Sequence, residues 1–419
     1  APFDAAGWRA YSDGGETVFA HAGAGGDIKV PHADGRWQLH TRNFTPDLPD
    51  APLAWSWTVL PEGMLSLCCY GQVCRYDREG RGRVVHRLDN YGEQHISSYA
   101  PAEKGNAAWA GPFINSSLME VDLESGKGRN IPGVPPVGGQ VNWIFQHEGI
   151  VYMGCYAGGT IGAFDPKKPV AYPTNPWHVL TIGDEQMRPG NNSVRFDGRF
   201  LWFTSHAKYG SNGGAVIRFD PEERTCRVWR NLIPGHNPTR LCLSPDNRVV
   251  FVGTSPEADC RIGPRGDGPP RVFAFNPHEE EMLWAVSPLG DDVNYYVPKF
   301  VTPNGELFVF GFPPDGKDRA FLLDPSDGRF VRELDARSLM EHRCTGVFRG
   351  PDNRLYAAAQ DGLYRYDLDS GLGERLSDVS MREPCVRGRD LFFMHGDYSV
   401  GMAPGLFELP SDGAPLAMR

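Results

Sequence analysis

Ile217-Arg218-Phe219-Asp220, followed by a few turn residues and a second short apolar run, is the stretch that decides the fold. Side chains alternate across a strand, so an apolar-polar-apolar triplet ending in Asp reads as a half-buried strand running into a turn. The Asp carboxylate accepts a hydrogen bond from the backbone two residues on, and a glycine in the turn supplies a positive φ. The segment is therefore a β-hairpin, and it recurs. Copies stand at Cys74-Arg75-Tyr76-Asp77, Met119-Glu120-Val121-Asp122, Gly162-Ala163-Phe164-Asp165, Phe273-Ala274-Phe275-Asn276, Phe321-Leu322-Leu323-Asp324 and Tyr364-Arg365-Tyr366-Asp367. Successive Asp or Asn positions lie 45, 43, 55, 56, 48 and 43 residues apart. Weaker copies end the series at Ile28-Lys29-Val30-Pro31 and Leu406-Phe407-Glu408-Leu409-Pro410.

Two further strands precede each hairpin, with Val249-Val250-Phe251-Val252 and Leu307-Phe308-Val309-Phe310 as clear examples. Four strands at this period are the signature of a propeller blade. The expected fold is all-β: one propeller of four-stranded antiparallel blades over residues 1–419, its termini closing the ring. Nine hairpins, two of them sharing a closing blade, give eight blades, with seven and nine as alternatives. The repeats resemble the Asp-x-x-x-Gly-x-x-x-(Trp/Phe) blades of quinoprotein-like and lactonase-like propellers. The Gly-His…Trp-Asp combination of WD-repeat blades does not occur, since no Trp is followed by Asp.

Composition agrees with this pattern. The 419 residues include 50 Gly and 36 Pro, about a fifth of the chain, which suits turns and disfavours helices. With 40% hydrophobic and 11% aromatic residues, the excess does not signal disorder. A net charge of -10 and the lack of a Lys/Arg run argue against nucleic acid. No apolar stretch approaches the roughly 20 residues that span a bilayer, so no membrane partner is expected. Nine cysteines without a CxxC pair favour reduced thiols and the cytoplasm. Three Asn-x-Ser/Thr sequons and the opening Ala1-Pro2-Phe3 keep secretion as the alternative.

In a propeller, the loops between blades and those joining second to third strands share one face. On that face the sequence gathers His, Arg, Asn, Tyr and Lys, whereas the opposite turns are Asp, Asn, Pro and Gly. Proton abstraction beside a carboxylate needs a near-neutral base, a fork for the carboxylate and an acid for the leaving oxygen. The expected catalytic set is His206 or His236 as base, Tyr209 as acid and Arg188 on the carboxylate. Asn192, Arg240, Tyr156, His95, Tyr295 and Lys299 are the expected substrate-binding residues. The excursion over 254–270 is long enough to wall a cleft.

These residue types resemble the channel-face constellation of propeller polysaccharide lyases. The resemblance implies β-elimination on an acidic carbohydrate. A non-catalytic propeller binding a protein or ligand is the alternative, followed by a lactonase, a small-molecule lyase or a metal-dependent oxidase. No cofactor is required. A structural Ca²⁺, or a metal held on the axis by His95, His206, His236, His342 and His395, is the lesser expectation.

Overall fold

The computed structural model describes eight strands between Trp8 and Arg87 by their backbone pairing, and most of residues 96–409 with Ala417–Met418. Within that span it leaves out 113–116, 125–127, 133, 135–139, 157, 172, 184–185, 191–192, 317, 335–343, 351, 353, 360, 369–372 and 398–400. The chain divides into two compact units, 1–94 and 95–419. The first holds two four-stranded antiparallel sheets, 8–40 and 54–87, each in simple sequence order.

The second unit is a β-propeller. Among the described residues six of its sheets are plain four-stranded antiparallel blades, and a seventh has its innermost strand broken in two. In chain order we number them blade I (96–132), II (140–181), III (186–230, the broken one), IV (237–286), V (295–333), VI (344–377) and VII (382–418). The innermost strand of each packs on that of the next, and blade VII packs back on blade I. Phe392 and Leu406 meet Ile96, Tyr99 and Ala108 there, which closes the ring.

The expectation of eight blades is thereby corrected. Hairpin counting registers every repeat but carries no information on where a ring closes. Among the described residues no sheet mixes the two chain ends: blade VII is built from consecutive strands of the C-terminal segment alone, and the N-terminal repeats form sheets of the other unit.

Strand chemistry follows position in the blade. Leu307–Phe312, a second strand, is apolar throughout and almost wholly buried, because neighbouring blades cover both faces. Thr225–Arg230, a fourth strand, alternates exposed and partly covered residues over its first four positions before Trp229 turns under cover. Aromatic rings knit adjacent blades, with Trp143 4.8 Å from Phe203 between blades II and III. The repeated Asp does what its spacing predicts. Oδ1 of Asp165 accepts the Lys167 N–H at 3.0 Å, Asp220 that of Glu222 at 3.0 Å, and Asp324 that of Ser326 at 3.0 Å.

Blade III departs from the pattern at its innermost strand, which runs as Gln186–Pro189 and resumes as Arg195–Phe196. Pro189 has no N–H to give the ladder. Gly190 is pressed so close to Thr204 that a Cβ would stand 2.7 Å from its Oγ1. Ser193 Oγ donates to the Gly190 carbonyl at 2.8 Å and pins the break.

Candidate functional site

Blades II and III bring four of the expected residues together at one end of their strands, beside a loop of blade IV. Arg188 lies on the first half of the broken strand and is paired in register with His206 on Leu201–Ala207. Tyr156 ends the second strand of blade II, Ile150–Tyr156. Tyr209 stands in the loop after the second strand of blade III. Its hydroxyl and that of Tyr156 are 2.8 Å apart, and the Arg188 guanidinium lies over the Tyr156 ring at 5.1 Å.

The residue at the centre of the cluster is Asp259, from a single 3-10 turn, Asp259–Arg261, in the 254–270 excursion of blade IV. Its Oδ1 accepts Arg188 Nη1 at 3.0 Å and lies 3.3 Å from His206 Nδ1. The Asp259 side chain is 4% exposed, against 24% for Arg188 and for His206. Sequence reading marked the excursion as a cleft wall but did not single out Asp259. Three carboxylates occur in that loop, and no local pattern distinguishes the one that turns inward.

The loop is held down by polar contacts. Gly210 N–H donates to the Ile262 carbonyl at 2.7 Å, and Asn212 Nδ2 to that of Pro256 at 3.1 Å. Asn237 Nδ2 donates both to Asn212 Oδ1 at 2.9 Å and to the Glu257 carbonyl at 3.0 Å. A Gly-rich excursion thus becomes an ordered cover, because its backbone groups have partners.

Arg188 does not have the freedom expected of a substrate fork. Its guanidinium is committed to the Asp259 carboxylate and the Tyr156 ring. His206 is better placed for proton transfer. With Nδ1–H donated to Asp259, the lone pair sits on Nε2, which meets no protein partner among the described residues.

His236 is held apart from the cluster. It is 2% exposed, with Nδ1 3.1 Å from Thr254 Oγ1 and Nε2 2.8 Å from the Asp267 carbonyl. Both ring nitrogens are occupied, so the structure gives it a place in the loop's anchorage and no approach to a substrate. Burial lowers its pKa below the ordinary histidine value; the Asp267 carbonyl opposes this and Arg271 and Arg265 add to it. A depressed value means the unfolded chain binds the proton that the folded chain refuses. Stability is accordingly full above pH ~6.5 and falls as pH drops below that value. Urea denaturation from about pH 7.5 to about pH 5 should show this loss, and it should be smaller in His236→Gln.

The remaining expected residues lie elsewhere. Tyr295 stacks on Phe312 at 4.5 Å, and burial, with Asp318 nearby, raises its pKa. Arg240 and Lys299 line a cavity on the propeller axis. Asn192, His95 and His342 fall outside the described residues, as does the His395 side chain. Among the described residues no group of three or more His, Cys, Asp or Glu is gathered to hold a metal ion. No helix among them is long and apolar enough to cross a membrane.

No protein-family model matches the chain, and no curated protein matches it. Solved structures do match. A puromycin-hydrolyzing peptidase of Mycobacterium tuberculosis aligns over 78% of this chain with a TM-score of 0.51 and 13% identity. Only 53% of that peptidase is covered, so this chain spans about half its length. A virginiamycin B lyase from Staphylococcus aureus aligns over 77% of this chain and 97% of its own, at 13% identity and a TM-score of 0.49. The β-propeller domain of Cps50 (Swd1) covers 76% and 98%, at 11% identity and 0.49. These are likenesses of fold. The chain contains a β-propeller, and its chemistry must be argued from its own residues.

Proposed function

We propose that the cluster around Asp259 is the active site of a carbon-oxygen lyase that cleaves a uronate-containing glycan by β-elimination. The supporting observation is the bond from His206 Nδ1 to buried Asp259, which fixes the ring and leaves Nε2 as the base. Nε2 takes the C5 proton beside the substrate carboxylate, and the electron pair forms the C4–C5 double bond. The C4–O bond breaks, and the Tyr209 phenol protonates the leaving oxygen. Tyr209 is 38% exposed, open to a glycan chain, and its bond to Tyr156 keeps the phenol oriented.

Carboxylate capture, assigned to Arg188 on sequence grounds, passes to other cations in this reading. Lys208, next to Tyr209, and Arg261, two residues after Asp259, are both exposed and have no carboxylate partner among the described residues. Arg188 instead holds Asp259 in place and sets a positive charge over the Tyr156 ring.

Incubation with a panel of uronic-acid glycans should give the absorbance of an unsaturated uronate on at least one of them. Absence of that signal across the panel rejects the elimination.

A further inference from the structure

The cavity on the propeller axis takes no part in the chemistry above. Its volume is about 590 Å³, within the range of small-molecule sites. It lies at a different level of the fold. Arg195 pairs with Trp202 and Arg188 with His206, four residues further along the same strand, a separation of about 13 Å at ~3.3 Å per residue. None of its lining residues belongs to the Asp259 cluster.

Five successive blades line it with cations: Arg195 from blade III, Arg240 from blade IV, Lys299 from blade V, Arg349 from blade VI and Arg387 from blade VII. Phe145, Phe196 and Phe300 supply apolar wall. Phe145 and Phe196 pack against each other at 5.0 Å, and Phe300 stacks on Phe308 at 5.3 Å.

Arg387 is paired with Asp390 at 3.1 Å, whereas the two guanidinium groups of blades III and IV have no carboxylate counter-ion among the described residues. Arg195 gives one N–H to the Val194 carbonyl at 2.8 Å, and neither Arg195 nor Arg240 meets a carboxylate there. Burial lowers the Arg195 pKa, and the like charge of Arg240 lowers it further. Glu103, the acidic residue of the wall, accepts the Gly149 N–H at 2.8 Å. The thiols flanking Arg195 do not neutralise it: burial pushes Cys242 up to about 12 and Cys385 to about 11, so both stay protonated.

Like charges held together in a partly enclosed cavity without a counter-ion cost stability. A guanidinium fork suits bidentate capture of an oxyanion, and Arg195 and Arg240 each bring one to this cavity. We infer that the axial cavity is a binding site for a small organic oxyanion, a carboxylate or a phosphate. Arg195 and Arg240 hold its charged group, and Phe145, Phe196 and Phe300 line the space for its carbon skeleton.

Calorimetric titration with citrate and with inorganic phosphate, at ionic strength held constant with chloride, tests this. At least one should bind saturably and raise Tm, and the arm that binds tells carboxylate from phosphate. Arg240→Gln and Arg195→Gln should each weaken that binding tenfold or more. Without ligand, each should have a Tm no lower than wild type, since a repulsion has been removed. His206→Gln should leave binding unchanged, which separates this site from the elimination site. The inference is overturned if neither anion binds, if either Arg variant binds as wild type does, or if His206→Gln abolishes binding.

Discussion

Asp259→Ala is expected to lower stability by about 3 kcal/mol, the lower end of the cost of stripping one partner from a buried ion pair. The side chain removed is 4% exposed, and Arg188 and His206 both bond its Oδ1. The lower end applies because both partners are partly exposed and recover some water. An exposed pair in the same loop sets the contrast. Arg265 bonds Glu257 at 3.0 Å with side chains 51% and 36% exposed, and Glu257→Ala should cost less than about 1 kcal/mol. Urea midpoints of the two variants at equal slope measure both numbers. Equal losses would mean that Asp259 is not the keystone of the cluster.

His206→Gln is expected to reduce turnover by about 10²–10⁴, the usual contribution of a positioned general base. Stability should change little, because Gln can still donate to Asp259 while lacking a basic nitrogen. Tyr209→Phe should lose turnover by a similar factor for a different reason: the leaving oxygen goes unprotonated. Only the second variant leaves proton abstraction intact. The two substitutions therefore separate the two halves of the elimination.

The blade architecture was readable because its cause is local. Asp165, Asp220 and Asp324 each close the turn that follows them with a bond two residues on, so the repeat carried its own mechanism. Ring closure is not local. It depends on whether blade VII finds blade I, through contacts such as Phe392 with Ala108, and no hairpin encodes that.

The site was partly legible for the same reason. Arg188, Tyr156, His206 and Tyr209 lie where strand ends and loops of neighbouring blades meet, a consequence of the period alone. Their partner Asp259 was not legible. Its burial results from loop 254–270 folding over Asn212 and Asn237, a long-range event. His236 shows the converse. It has the residue type of a base, but Thr254 and the Asp267 carbonyl occupy its ring.

Exchange of the substrate's C5 proton with solvent deuterium, followed by NMR on a cleaved uronate glycan, tests the assignment of His206 most directly. Wild type and Tyr209→Phe should both exchange the proton, the latter without cleavage, and His206→Gln should abolish exchange. Undiminished exchange in His206→Gln would contradict the account, since the base would then have to be another group.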